Sequence, residues 1–108
     1  MIVYVEIEGE KYPFKFGIRE ITSALSMAGE DTLNTDALLR NPDALFHCFE
    51  LGSKKGARRT DSELTLSAMQ IEDAIDDDFD LLEDLIKALM KCMPKEDDPK
   101  KKAVKKTK

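Results

Sequence analysis

Four carboxylates within five residues, Asp76, Asp77, Asp78 and Asp80 around Phe79, form the densest group of potential ligands in the 108-residue chain. Oxygen-rich runs suit a hard cation. A calcium loop of the EF-hand type takes ligands at alternate positions, a glycine at its sixth and a bidentate glutamate at its twelfth. Counted from Asp76, Asp78 and Asp80 fall at the third and fifth positions, but Leu81 stands sixth and Lys87 twelfth. The run therefore reads as a cap between helices with a solvated acidic face. His47 and Cys48 are the one His/Cys neighbour pair. On a helix, adjacent side chains point about 100° apart, so the pair converges neither on a metal nor as nucleophile and base. His47 reads as a surface or rim residue, and Cys48 and Cys92 as small apolar residues of a core. Gly52-Ser53-Lys54-Lys55-Gly56 lacks the spacing of a phosphate-binding loop. No pair of acids can be assigned to an apolar cleft, so no catalytic, cofactor-binding or metal-binding residue is expected, and the chain reads as a non-enzyme.

The elements around these residues are clear in outline. Val3, Val5 and Ile7 alternate before Gly9, and Tyr12, Phe14 and Phe16 alternate after it, with Lys11, Pro13 and Lys15 on the opposite face. This period of two about a glycine predicts a β-hairpin. A lone hairpin is marginal in water, so its aromatic face must be covered by helices or by another chain. Gly17 or Phe16 breaks the strand, and Ile18, Ile21, Leu25 and Ala28 recur at helical spacing up to Gly29, a C′ residue. A short helix over 36–40 follows, capped by Asn34 or Thr35. Asn41 and Pro42 then open a helix as N-cap and first residue. Ala44, Leu45, Cys48 and Leu51 form its stripe with Phe46 and Phe49 beside it, and Gly52 to Gly56 is expected to end it. Lys54, Lys55, Arg58 and Arg59 form the one basic cluster of the body, which either meets the dipole of that helix end or serves as a partner-binding patch. Ser67-Ala68-Met69-Gln70 fits a capping box for a helix that buries Met69, Ile71, Ala74 and Ile75. Asp77 or Asp78 caps a last helix that buries Phe79, Leu82, Leu85, Ile86, Leu89 and Met90 or Met93 and stops at Pro94.

The fold class expected is α+β. An N-terminal β-hairpin packs against a mainly helical body of four to five helices. Residues 1–94 form a single small domain and residues 95–108 a disordered Lys-rich tail. The net charge of −5 hides a split, because six lysines lie from Pro99 onward and residues 1–98 hold 22 acidic and 11 basic side chains. An acidic body disfavours nucleic acid, since phosphate neutralisation dominates that affinity. No apolar run approaches the ~20 residues of a membrane span, and Met1 leads directly into strand residues, so neither membrane nor leader is expected and the chain reads as cytosolic.

The order of these parts resembles the tail assembly chaperones of long-tailed bacteriophages and prophages. The residues that carry the likeness are Phe14 to Gly17 at the hairpin's end, Ile18-Arg19-Glu20-Ile21, the stretch Phe49 to Gly52 with the basic loop after it, and Leu66 to Asp78 before a Leu-rich helix. They span about residues 5–93. The chain departs from the pattern near Ile75, where many members carry an aromatic, and after the acidic turn, where many carry a glycine. The resemblance implies a non-enzymatic protein of the bacterial host cytoplasm, absent from the mature virion. It binds the tape measure protein, with the tail tube protein as a second candidate partner, and keeps it soluble during tail tube assembly. Self-association is also implied, as is a longer form made by ribosomal frameshifting. Tyr4, Tyr12, Phe14, Phe46 and Phe49 are candidate partner-binding residues, with Met69 and Met90 as adaptable contacts. Hairpin edges offer a route to self-association. The alternative is a small acidic adaptor or inhibitor that binds a basic protein partner.

Overall fold

A computed structural model describes residues 2–29 and 35–92. Strands β1 (Val3–Ile7) and β2 (Glu10–Phe14) pair antiparallel, with Val5 opposite Tyr12 and Ile7 opposite Glu10. The two-residue turn between them has positive φ at both Glu8 (53°) and Gly9 (84°). That is the backbone of a type I′ turn, whose twist matches the strands it joins. Five helices follow: α1 (Ile18–Met27), α2 (Thr35–Leu39), α3 (Pro42–Thr60), α4 (Ala68–Asp77) and α5 (Asp80–Cys92). The α+β class and the hairpin-plus-helices architecture are as the sequence predicts.

Helix α3 organises the molecule. Asn41 caps it, its Oδ1 accepting from the Ala44 N–H at 3.1 Å, and Pro42 fills the first position. Gly52 and Gly56 do not end it, contrary to expectation; the helix runs through both to Thr60 and closes on Asp61, which has φ 59°. The reason lies in the hairpin. A methyl group on Gly56 would overlap the Pro13 carbonyl and lie 2.8 Å from the Phe14 nitrogen, and one on Gly52 would overlap the Phe16 ring. The glycines thus let the helix backbone lie directly on the outer edge of β2. There the Lys15 N–H donates to the Gly52 carbonyl at 3.0 Å. An interior glycine costs a helix about 1 kcal/mol relative to alanine, offset here by the covered edge and the packing it allows. Pro13 is accordingly fully buried and not on an open face as its alternation suggested.

The core joins the hairpin to all five helices. Val5, Ile7, Phe14 and Phe16 meet Ile21, Ala24, Leu25, Leu38, Cys48, Phe49, Ile71, Leu85 and Leu89. Phe14 stacks on Phe16 at 5.8 Å between ring centroids, and Phe16 meets Phe49 edge-on at 6.2 Å. The aromatic face is therefore covered by the chain's own helices. Local caps fall where the sequence placed them. Gly29 follows α1 with φ 76°, and Ser67 and Gln70 exchange their hydrogen bonds at 3.1 and 2.8 Å. Asp78 Oδ1 accepts from the Asp80 N–H at 3.2 Å before α5.

Several core assignments change. Ile18 is exposed, and Ala24 and Glu20 take inward places on α1. Met69 is exposed on α4 while Ile71, Ala74 and Ile75 are buried as expected. On α5 the buried residues are Leu81, Leu85, Ala88 and Leu89; Leu82 and Ile86 are half-buried, and Phe79 and Met90 are exposed. The Asn34 cap, Met93, the Pro94 stop and the Lys-rich tail lie outside the described residues.

Candidate partner-binding surface

The altered phase of α5 creates the most distinctive surface. At about 100° per residue, the apolar positions of α5 with Phe79 sweep an arc of roughly 200°, about twice the stripe that a surface helix needs to bury. One half, Leu81, Leu85, Ala88 and Leu89, faces the core. The other half, Leu82, Ile86 and Met90 with Phe79 ahead of the helix, is left half-buried or exposed. Phe79 retains 75% of its accessible surface and Met90 51%. Phe79, Leu82 and Ile86 line a shallow groove of about 520 Å³ together with Asp80, Glu83 and Lys87. The adjoining sequence is acidic. Residues 72–84 carry Glu72, Asp73, Asp76, Asp77, Asp78, Asp80, Glu83 and Asp84 with no basic residue among them, and all eight are exposed. A hydrophobic strip within a negative field suits an amphipathic helix whose apolar face is bordered by lysine or arginine.

The seven residues singled out from sequence are scattered by the fold. Phe14 and Phe49 are fully buried, so they hold the core together and offer no face to a partner. Tyr12 and Phe46 are half-buried, each packed on the core. Tyr4 is 56% exposed on β1, Met69 72% exposed on α4, and Met90 exposed on α5. Of the seven, Tyr4 alone lines either groove described here, the one between β1 and α5. Phe79, Leu82 and Ile86 were assigned to the core from sequence. Phe79 is exposed instead, while Leu82 and Ile86 are half-buried and pack on the core from its rim; the signal was present in the excess width of the apolar arc and in the Asp residues on either side of Phe79.

Three buried side chains with polar or ionisable groups, Glu20, Cys48 and Ser53, take part in the packing of the fold. Glu20 is buried at the start of α1, where its Oε1 accepts from the Gly17 N–H at 3.0 Å and from Lys55 Nζ at 3.1 Å. Burial pushes its carboxyl up, but the Lys55 hydrogen bond, the backbone N–H donors and the Lys55 charge outweigh it and hold it below the ordinary value. Cys48 is fully enclosed, and burial, helped by the Glu20 charge, pushes its thiol up to about 12. It stays protonated at neutral pH and is no nucleophile. Ser53 is buried with its Oγ accepting from the Leu66 N–H at 2.9 Å, which ties the segment before α4 to α3. Among the described residues no three His, Cys, Asp or Glu side chains come together in a way that could hold a metal ion, and no helix is long and apolar enough to cross a membrane. Comparison of the chain with models of known protein families, with curated proteins and with solved structures finds no match in any of the three.

Proposed function

We propose that this chain is a non-enzymatic tail assembly chaperone of a long-tailed phage or prophage. In this reading it binds apolar helical segments of the tape measure protein in the host cytoplasm and keeps them soluble until the tail tube forms around them. The observation that carries the proposal is the incompletely buried apolar half of α5, with Phe79 and Met90 exposed and Leu82 and Ile86 half-buried, next to the eight exposed carboxylates of residues 72–84. A long helical client exposes apolar stripes before assembly. A holdase needs a strip that can cover such a stripe and a charged border that limits its own aggregation. The order of hairpin, middle helix and Leu-rich last helix supports the same reading by resemblance, although the basic stretch Lys54 to Arg59, expected as a loop, lies inside α3 because the helix continues through Gly52 and Gly56. The test is co-expression with the longest downstream gene of the locus, scored by solubility and co-purification. A partner that becomes soluble with the chain, and less so with Phe79→Ala, supports the proposal; a partner equally insoluble in both cases defeats it.

The eight exposed carboxylates of residues 72–84, with no basic residue among them, favour one second reading, an acidic adaptor that binds a basic protein. Salt separates the two. Adaptor binding carried by charge collapses as the Debye length falls toward ~3 Å at 1 M salt, while burial of the α5 strip persists there.

A further inference from the structure

The two edges of the hairpin are treated differently. In a two-residue hairpin the flanking pair, Ile7 and Glu10, exchanges both hydrogen bonds, and the pattern then alternates along the ladder. On β2 the outward backbone groups therefore belong to Lys11, Pro13 and Lys15. Pro13 has no N–H to leave open, its carbonyl lies against Gly56, and the Lys15 N–H is taken by Gly52. On β1 the outward groups are the N–H and C=O of Tyr4 and Glu6. No described residue bonds to them. Beside them lies a groove of about 220 Å³, lined on the strand side by residues 3–6 and on the helix side by Asp84, Lys87, Ala88 and Lys91. A strand edge with free donors and acceptors is a template for another strand.

We propose that the outer edge of β1 is a strand-addition site for a second copy of this chain, paired antiparallel about a two-fold axis at Val5. This rests on the edge and not on the α5 strip or the chaperone reading. Three registers let the outward groups of one β1 meet those of its copy. Centring on Glu6 sets two glutamates directly opposite, which is unfavourable. Centring on Tyr4 leaves Ile7 without a strand partner. Centring on Val5 uses the whole strand. Tyr4 then exchanges both backbone bonds with Glu6 of the copy, Val3 stands opposite Ile7, and the apolar core row Val3, Val5, Ile7 continues across the axis. The same axis passes through the groove and sets α5 antiparallel to its copy. The Asp84 end of each helix then faces the Lys91 end of the other, so the charges lining the groove are self-complementary. The result is a four-stranded sheet whose outer edges are both closed by α3.

The test is sedimentation equilibrium of the full chain beside Glu6→Pro, which removes an outward N–H and leaves the ladder with β2 intact. The unmodified chain is expected to rise with concentration from 12.2 kDa to twice that mass, and Glu6→Pro to remain a monomer with unchanged far-UV circular dichroism. Register is read separately, in a Cys92→Ser background, by oxidative cross-linking of Tyr4→Cys and Glu6→Cys. An equal mixture of the two is expected to cross-link and neither alone to do so, a pattern that stands whether or not the proline variant folds. A strict monomer at high concentration, cross-linking of either variant by itself, or a monomer whose captured partner is released by Glu6→Pro each overturns the proposal.

Discussion

Replacing Phe79 by alanine separates binding from folding. The ring keeps 75% of its surface exposed in the free chain and sits outside the core. Burying a whole phenylalanine side chain stabilises a complex by about 1.5–3 kcal/mol, so covering the three-quarters still exposed contributes about 1–2 kcal/mol. Truncation should therefore weaken capture of an amphipathic helix by about 5–30-fold. Folding stability should stay within about 0.5 kcal/mol, as for other exposed sites without special contacts. The contrast is Phe49→Ala. That ring is fully enclosed and packs on Phe16 and Phe46, so its loss should cost about 3–5 kcal/mol of stability. Fluorescence anisotropy with a labelled basic amphipathic segment of the partner, beside urea unfolding of each variant, measures both quantities. Phe79→Ala that binds as tightly as the unmodified chain, or that loses stability on the scale of Phe49→Ala, refutes the assignment of the α5 strip as a docking surface.

Three further expectations follow from the fold. Gly56→Ala gains about 1 kcal/mol of helix propensity but forces the Pro13 carbonyl away, a type of overpacking that costs about 1–3 kcal/mol or more; its urea midpoint should fall, whereas a rise would mean that α3 does not press on β2. Glu8→Asn should raise thermal stability by about 1 kcal/mol, because Asn-Gly suits the two positive-φ positions of the turn better than Glu-Gly; no change in the melting temperature would count against a type I′ turn. Glu20 has a folded pKa below its ordinary value of 4.5, so the stability it contributes is complete above 4.5 and is lost as pH falls through the lower folded value. Glu20→Gln should accordingly be less stable than the unmodified chain by about 1–2 kcal/mol at pH 7, with the gap in urea midpoints closing under acid; a gap that widens as pH falls would reverse the sign of the argument.

Local chemistry made the boundaries of the elements legible. Asn41-Pro42 and the Ser67/Gln70 box cap their helices with their own side chains, Gly29 lets the chain turn just past α1, and the Glu8-Gly9 turn needs no distant contact. What a residue faces across the fold was not legible in the same way. Gly52 and Gly56 carry the same local signal as a helix stop. Only the approach of Phe16 and Pro13, 36 and 43 residues earlier in the chain, turns them into a contact surface. The α5 arc is the same problem in another form. Its hydrophobic pattern identifies a helix with more apolar surface than one core can bury, but periodicity cannot say which half turns inward. The candidate aromatics failed on this point: Phe14 and Phe49 are attractive by type and are consumed by the core. Both surfaces proposed here are instead places where the chain's capacity exceeds its own needs, in apolar area along α5 and in hydrogen-bonding groups along β1. Such a surplus becomes visible only after the internal contacts have been subtracted, so it required the fold.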